Sequence, residues 1–421
     1  MTFDTFSSAW NVILLASFLF AVVIGAMVNK TNFCTMGAVS DWVNIGDQRR
    51  FKAWMLAIAV AVIGVAVFEW LGWVKADSAF PPYRSGTLIW GENIFGGLLF
   101  GIGMTLASGC GNKTLIRFGA GNLKSFFVLL VIGVIAYYML NPLPNTDQTL
   151  YSLLFLPWAQ YLRADLGISQ DLGTLLAGSN GVKDIRLMIG LLLGCGLLFY
   201  VFKTKSFRKD NDNILSGSLI GLAVLGAWLV TSLVMVTADG ELYSLRNYYN
   251  EWDFLANDGD IQPSLGAALS PQSYTFINPL GQALGYAAGG FGKAGLTFGI
   301  VAVLGIIFGS WLWATLTKGF RIEWFANRND FIMHMIGAIL MGFGGVLGMG
   351  CTIGQGITGV STLALGSFIT VVFIILGSAI TMKTQYYKLV YEDEASLSKA
   401  IIAGLADLKL LPNSWRSLDK V

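Results

Sequence analysis

Histidine occurs once in these 421 residues, charged side chains make up only 12%, and no nucleotide-binding signature is present. The lone His334 cannot supply the paired imidazoles of a haem-carrying membrane subunit. With scattered cysteines it also leaves no tetrahedral zinc set, so it reads as a structural or interfacial residue. The spacing G-x-x-x-x-G-K-[ST] is missing: Gly111-Asn112-Lys113-Thr114 comes nearest, but no glycine directly precedes Lys113. No basic run of the kind a phosphate backbone needs occurs, which excludes nucleic acid as a partner. There is no C-x-x-C, and the four cysteines (Cys34, Cys110, Cys195, Cys351) lie in or beside apolar segments, a poor disulfide framework. The first nine residues carry one charge, Asp4, and no basic n-region, so no cleaved signal peptide is expected. No metal and no cofactor is implied.

What is present is apolar: 55% hydrophobic residues and a mean hydropathy of +0.64. The charged share is about half that of an ordinary soluble domain. The fold class is therefore an all-α polytopic membrane protein. Nine apolar stretches run over roughly 10–28, 53–73, 93–108, 123–140, 187–202, 214–236, 295–316, 333–349 and 365–381. Several fall short of the ~20 residues an upright span needs, those flanking Cys110 and Cys351 among them, as expected of spans interrupted by irregular backbone. Trp70, Trp73, Trp90, Tyr137, Tyr138, Trp311, Trp313 and Trp324 suit interfacial belts.

Loop charge predicts orientation. Lys203, Lys205, Arg208 and Lys209, then Arg49, Arg50 and Lys52, then Lys318, Arg321 and Arg328 mark three cytoplasmic loops. The acidic 237–293 loop, with Asp239, Glu241, Glu251, Asp253, Asp258 and Asp260, faces out, as does 141–186. Nine spans then place the N-terminus outside and the C-terminus in the cytoplasm. Two four-span halves, 1–140 and 214–384, are joined by an outer loop and one connector span (141–213), and must be inverted relative to each other. The tail 385–421, with Leu408, Leu410 and Leu411, reads as a short cytoplasmic helix that could dock an unidentified partner, possible candidates including a sulfur-handling protein.

The densest motif is Met349-Gly350-Cys351-Thr352-Ile353-Gly354-Gln355-Gly356, with an altered copy at Ser108-Gly109-Cys110-Gly111-Asn112-Lys113. Aligned on cysteine, both carry glycine at minus nine (Gly101, Gly342), minus seven (Gly103, Gly344) and minus one (Gly109, Gly350). Glycines could serve helix packing alone. Two copies with cysteine at one offset instead favour re-entrant segments lining a path, because non-helical backbone at membrane depth survives only where it is buried or faces a cavity. Gly350 and Gly354 are expected where the chain turns, either to permit a left-handed backbone or to leave the narrowest point open.

Lys30-Thr31-Asn32-Phe33-Cys34-Thr35-Met36-Gly37, Gly109-Cys110-Gly111 and Gly348 through Gly356 resemble the signatures of the YeeE/YedE family of bacterial inner-membrane sulphur transporters, typified by thiosulfate uptake. The likeness spans roughly 10–385. It implies a path lined by Cys34, Cys110 and Cys351, along which thiosulfate passes by S–H to sulfur contacts. Gly111-Asn112-Lys113 departs from the family's Thr-x-Gly run, and the 141–186 loop is long. A branch of the family is associated with selenium metabolism, so a selenium-containing anion is the alternative substrate.

The chemistry agrees. Thiosulfate is a dianion with hard oxygens at one end and a polarisable sulfur at the other. Amides at helix N-termini favour the oxygens, and a thiol is a soft, weak donor for the sulfur. The residues expected on the path are Cys34, Cys110, Cys351, Gly109, Gly111, Gly350, Thr352, Gly354 and Gln355, with a small inorganic anion as substrate and no catalytic residue. Segment 272–289 is apolar but too broken to span, and is expected at the outer vestibule with Asn278 as a polar contact. Cys195 reads as a packing residue on the connector, and Glu69 as interfacial. A membrane thiol enzyme or sulfurtransferase would want an activating histidine or a resolving cysteine, and an anchor subunit of a redox complex would want more histidines.

Overall fold

The computed structural model describes residues 1–178, 181–257, 260–392, 395–416 and 418; Asp258 of the acidic loop lies outside them. Among the described residues nine helices are long and apolar enough to cross a membrane. They occur where the apolar stretches are. In chain order the helices used below are α1 (Phe6–Thr31), α2 (Thr35–Ser40), α3 (Arg49–Trp70), α4 (Trp90–Leu106), α5 (Gly111–Gly119) and α6 (Leu123–Leu140). Then come α7 (Val182–Lys203), α8 (Asn211–Leu233), α9 (Ile277–Ala288), α10 (Phe298–Leu316) and α11 (Arg328–Leu347). The helical segment α12 (352–361) is wide-turned over Gly354–Gly359; α13 (Leu365–Tyr391) and α14 (Leu397–Asp407) complete the chain. Side chains of Thr5, Asn122, Asp210, Thr297 and Asn327 cap α1, α6, α8, α10 and α11 by accepting a first-turn amide.

Between apolar helices in lipid there is no water to expel, so close approach has to come from small residues. A Cβ on Gly344 of α11 would fall 2.6 Å from the Gly96 carbonyl oxygen of α4, and one on Gly103 of α4 would fall 2.6 Å from the Gly337 oxygen of α11. Gly97 and Gly377 seat α4 against α13 in the same way, and Gly217 and Gly221 seat α8 against α3. The pairings are reciprocal. Helix α4 packs on α13 while α11 packs on α6; α1 packs on α10 while α8 packs on α3; α1 meets α8, and α4 meets α11. The short helices follow suit: α5 lies on α10 and α12 on α3, α9 on α6 and α2 on α13. The connector α7 sits outside this arrangement, against α3. There Gly190 and Gly194 make the close contact with Ala66 and Ile63, and Cys195 points outward, exposed, instead of packing as expected.

Glu69 also differs from expectation. It is 6% exposed and forked by two arginines, Arg84 at 2.5 Å and Arg186 at 2.6 Å. Arg186 also holds Asp171 at 2.7 Å, while Arg84 Nε donates to the Thr362 carbonyl at 2.8 Å. The cluster fastens the 141–178 excursion to the core. Leu172 N donates to Leu363 O, Leu365 N to Gln170 O, and Gly366 N to Gln170 Oε1. Burial alone would raise the Asp171 pKa, but Arg186, Arg84, Thr174 and Ser169 outweigh it and hold the carboxyl well below the usual carboxylate range.

Removing one member of such a cluster leaves a buried charge without its partner, which costs about 3–5 kcal/mol. Arg186→Met is therefore expected to lower the melting temperature of the detergent-solubilised protein sharply, while Lys183→Met, exposed one turn away, leaves it unchanged. Because the Asp171 pKa is depressed in the fold, its contribution is present above the unfolded value of about 3.9 and declines as pH falls below that. A melting series from pH 6 to pH 3, compared with Asp171→Asn, checks the sign.

Candidate functional site

One local construction occurs three times. A helix ends on a residue in the left-handed region: Asn32 (φ 54°), Ser108 (φ 56°) or Met349 (φ 54°). One spacer follows (Phe33, Gly109 or Gly350), then a cysteine, then a short helix that begins on the cysteine's far side. Cys34 precedes α2, Cys110 precedes α5 and Cys351 precedes α12. The left-handed angle thus falls on Met349 and Ser108 and not on Gly350, which removes the first of the two roles the sequence allowed that glycine, a left-handed backbone or an open narrowest point. A non-glycine residue there costs of order 1–3 kcal/mol. The backbone is nonetheless closed: Ser108 N donates to Thr105 O and Gly109 N to Met104 O, and Met349 N to Val346 O and Gly350 N to Gly345 O.

The glycines are needed for space instead. A Cβ on Gly354 would sit 2.8 Å from the Thr275 Cβ, and one on Gly350 3.3 Å from Thr275 Oγ1. At Gly111 it would meet Ile277 Cδ1 at 3.0 Å, whereas at Gly109 it would reach only ordinary contact with Lys113, at 3.4 Å.

The three thiols are buried and follow one another. Cys34 adjoins Cys110, and Cys110 adjoins Thr352, the neighbour of Cys351; exposures are 7%, 2%, 1% and 0% in that order. Cys351 Sγ accepts the Gly354 amide at 3.4 Å, and the amides of Ile353 and of Phe276, at the head of α9, face the same sulfur. The corresponding third-residue amides, Gly37 for Cys34 and Lys113 for Cys110, lie near their sulfurs without completing a capping bond. Around Cys351 stand buried polar atoms with no hydrogen-bond partner among the described residues: Thr352 Oγ1, Thr275 Oγ1, Gln355 Oε1 and Tyr83 OH. Tyr83 is within electrostatic range of the Cys351 sulfur. The Gln355 amide folds back to Gly348 O, which leaves its carbonyl oxygen unused. Unmet groups of this kind cost about 1–3 kcal/mol each in a dry interior, so a polar guest offsets part of that.

Cavities approach the thiols from two sides. On the side of the basic loops, a cavity of about 480 Å³ reaches Asn32, Ser108 and Lys113, which hold Cys34 and Cys110. His334 lines it too, and is fixed there by Asp330 and an edge contact with Phe325. On the other side, a cavity of about 700 Å³ ends on Asn278 and Gln282 of α9. Below it a void of about 10 Å³ joins Asn278 to Thr275, which abuts Gly350 and Gly354. Thr352 and the three thiols are buried, and none of Cys34, Cys110 and Cys351 lines either cavity. Thr275 and Tyr83 were missed in the sequence. The Ser273-Tyr274-Thr275 run was a faint signal: Ser273 anchors to Val224 O and Tyr274 to Ser17 O, leaving Thr275 free to face the thiol loop. Nothing local marks Tyr83.

Residues 30–380 match the profile of the family described as Sulphur transport. The chain belongs to that family. Sulphur transport relatives include the thiosulfate transporter TsuA of Escherichia coli (strain K12), 25% identical over 374 residues, which cover 86% of this chain and 92% of that protein. TsuA of Spirochaeta thermophila is 24% identical over 87% of this chain and 96% of its own length. The probable transporter YedE of Escherichia coli is 32% identical, over 28% of this chain and 29% of its own.

The close contact at Gly354 gives a test of the packing. Gly354→Ala is expected to destabilise the protein by roughly the 1–3 kcal/mol of an overpacked core. Thr275→Gly in the same molecule should recover part of that loss, and Gly109→Ala should change the melting temperature little.

Proposed function

We propose that this protein imports a small sulfur-containing oxyanion of the thiosulfate type across the bacterial inner membrane, through the constriction formed by Cys351, Cys110 and Cys34. The observation that carries the reading is the string of three buried thiols, each at the head of a short helix, lying in contact order between two cavities. The names of the full-length relatives support the substrate class. The basic loops support a cytoplasmic position for the Lys113 cavity and the C-terminus, with the N-terminus and the Asn278 cavity outside. The reciprocal packing supports two halves, 1–140 and 214–384, related by a two-fold axis in the membrane plane, with the Cys110 and Cys351 segments entering from opposite faces.

In this reading the anion leaves the outer cavity past Asn278 and Thr275. Its oxygens meet the amides of Ile353, Gly354 and Phe276, and its terminal sulfur meets the Cys351 thiol. A thiol holds the soft sulfur weakly enough for release, where a lysine buried at that depth would trap the dianion. Thr352, Gln355, Gly350, Gly354, Gly109 and Gly111 shape the passage, and the sulfur end moves on to Cys110 and Cys34. In this reading the protein acts as a transporter, which the names of its full-length relatives support.

In cells lacking their own importer, Cys351→Ala and Cys110→Ala are expected to abolish thiosulfate uptake at normal membrane abundance, with Cys34→Ala nearly as severe and Cys195→Ala without effect. Cys351→Ser keeps a donor but loses the soft contact, so most uptake should go. An impermeant thiol reagent applied outside should label Cys351 before Cys110, more slowly with thiosulfate present. Full uptake by Cys351→Ala would sink the thiol path, and Cys110 labelling first would reverse the orientation.

A further inference from the structure

The cytoplasmic cavity contains a feature that the thiol path does not use. Lys113 and Arg117 stand one turn apart on the same face of α5, at the deep end of the cavity. Lys113 Nζ donates to Asn32 Oδ1 at 2.9 Å, and Arg117 Nη1 donates to the Ser108 carbonyl at 2.6 Å. Both acceptors are neutral, and each lies two residues before a thiol, Cys34 or Cys110. Among the described residues neither cation is ion-paired. On the same wall Lys124 is bridged to Asp330 at 2.7 Å, whereas Glu323 accepts from the neutral Asn122 amide at 2.5 Å. Arg321 is exposed. Like charges four residues apart on a helix repel, and half-buried ones repel more. Lys113 and Arg117 thus bring two positive charges, held only on neutral acceptors, within electrostatic range of the Cys34 thiol, in a cavity whose wall also carries Glu323 and Asp330.

The outer side is different. Asn278, Gln282, Tyr286, Tyr137 and Thr297 line the larger cavity there, and none of its lining residues is charged.

We propose that Lys113 and Arg117 form a cytoplasmic anion subsite that takes small tetrahedral dianions by charge and oxygen contact, without regard to a soft sulfur. The assignment rests on the transport reading above and adds a sidedness to it. Through the Asn278 cavity an anion passes uncharged residues and is selected at Cys351 for its sulfur end, while the neighbouring cavity beside Met349 carries charge as the Arg163–Glu92 pair, at 2.6 Å. From inside the anion meets the cation pair first. Sulfate, with oxygens all round and no sulfane sulfur, fits the inner subsite and not Cys351. The pair therefore holds the incoming anion after it leaves Cys34, and also admits sulfate from the cytoplasm as a competitor.

The test uses the full chain, purified and reconstituted in vesicles of known orientation, with thiosulfate exchange as the readout. Sulfate in excess at the basic-loop face should inhibit exchange, and at the opposite face should not. Lys113→Gln should raise the half-saturating thiosulfate concentration at the basic-loop face by about ten-fold or more, since a charge-assisted contact is worth about 1.5–3 kcal/mol. It should abolish sulfate inhibition there and leave the opposite face within about two-fold, while Lys113→Arg keeps both properties. Calorimetric titration of the detergent-solubilised protein with sulfate should show binding to the parent and to Lys113→Arg, and none to Lys113→Gln. Sulfate binding that survives in Lys113→Gln, no sulfate binding to the parent, or inhibition equal from both faces would each overturn the subsite. Sulfate binding lost in Lys113→Gln from a protein that exchanges no thiosulfate would instead keep the subsite and refute the thiosulfate reading.

Discussion

A backbone amide or carbonyl left unpaired in hydrocarbon costs several kcal/mol, and the whole arrangement depends on how this chain breaks its helices without incurring that cost. Three times a helix stops inside the membrane part and the chain turns through a left-handed residue. At two of those turns, paired amide bonds to the preceding helix close the end before the cysteine is reached. The close glycine contacts between α4, α11 and α13 serve the same constraint from outside. They bring continuous helices near enough to wall the irregular segments off from lipid. A thiol suits such a place because, of the groups able to touch a polarisable anion, it is among the cheapest to bury.

Much of this was legible in the sequence, because hydropathy reports directly on the environment a span will occupy. The nine apolar stretches mark the nine spans, and the doubled glycine-cysteine motif marks where α4 and α11 give way to shorter helices. What could not be read was anything set by partners distant in sequence. Glu69 looked interfacial because nothing near it in the chain is basic; Arg84 and Arg186, brought to it by the fold, make its burial tolerable. Gly350 looked like the turning residue because glycine adopts left-handed angles freely, yet Met349 takes that angle. Its neighbours Thr275 and Gln355 leave little room for a side chain at position 350 itself. Cys195 looked like a packing residue, but α7 packs through Gly190 and Gly194 and turns the sulfur outward.

The site itself divides the same way. Sequence spacing identifies the thiols, the flanking glycines, Thr352 and Gln355, since all sit within two motifs. Thr275 arrives from the head of α9 and Tyr83 from an outer loop, and only the fold shows them beside the Cys351 helix. Lys113 could be seen as a departure from its family's pattern, but its meaning depends on what lies opposite. Once Asn32 is seen to accept from it beside Cys34, with no ion pair to it among the described residues, it becomes the basis of the proposed anion subsite.

The fastening of the outer excursion to the last span bears on how the molecule is made. Gly366 N reaches Gln170 Oε1 across 196 residues, and Arg84 reaches the Thr362 carbonyl across 278. Thr362 lies just before the final span and Gly366 at its start, so neither bond can form until nearly the whole membrane part has been synthesised. During translation the Glu69, Arg84, Asp171 and Arg186 cluster exists without its last acceptor, on the outer face, and the Cys351 helix has no floor to stand on until α13 arrives. Closing loops of that length is entropically expensive and slow. The Cys351 segment is therefore completed last, and a chain truncated before α13 has spans but lacks the helix that this segment packs against.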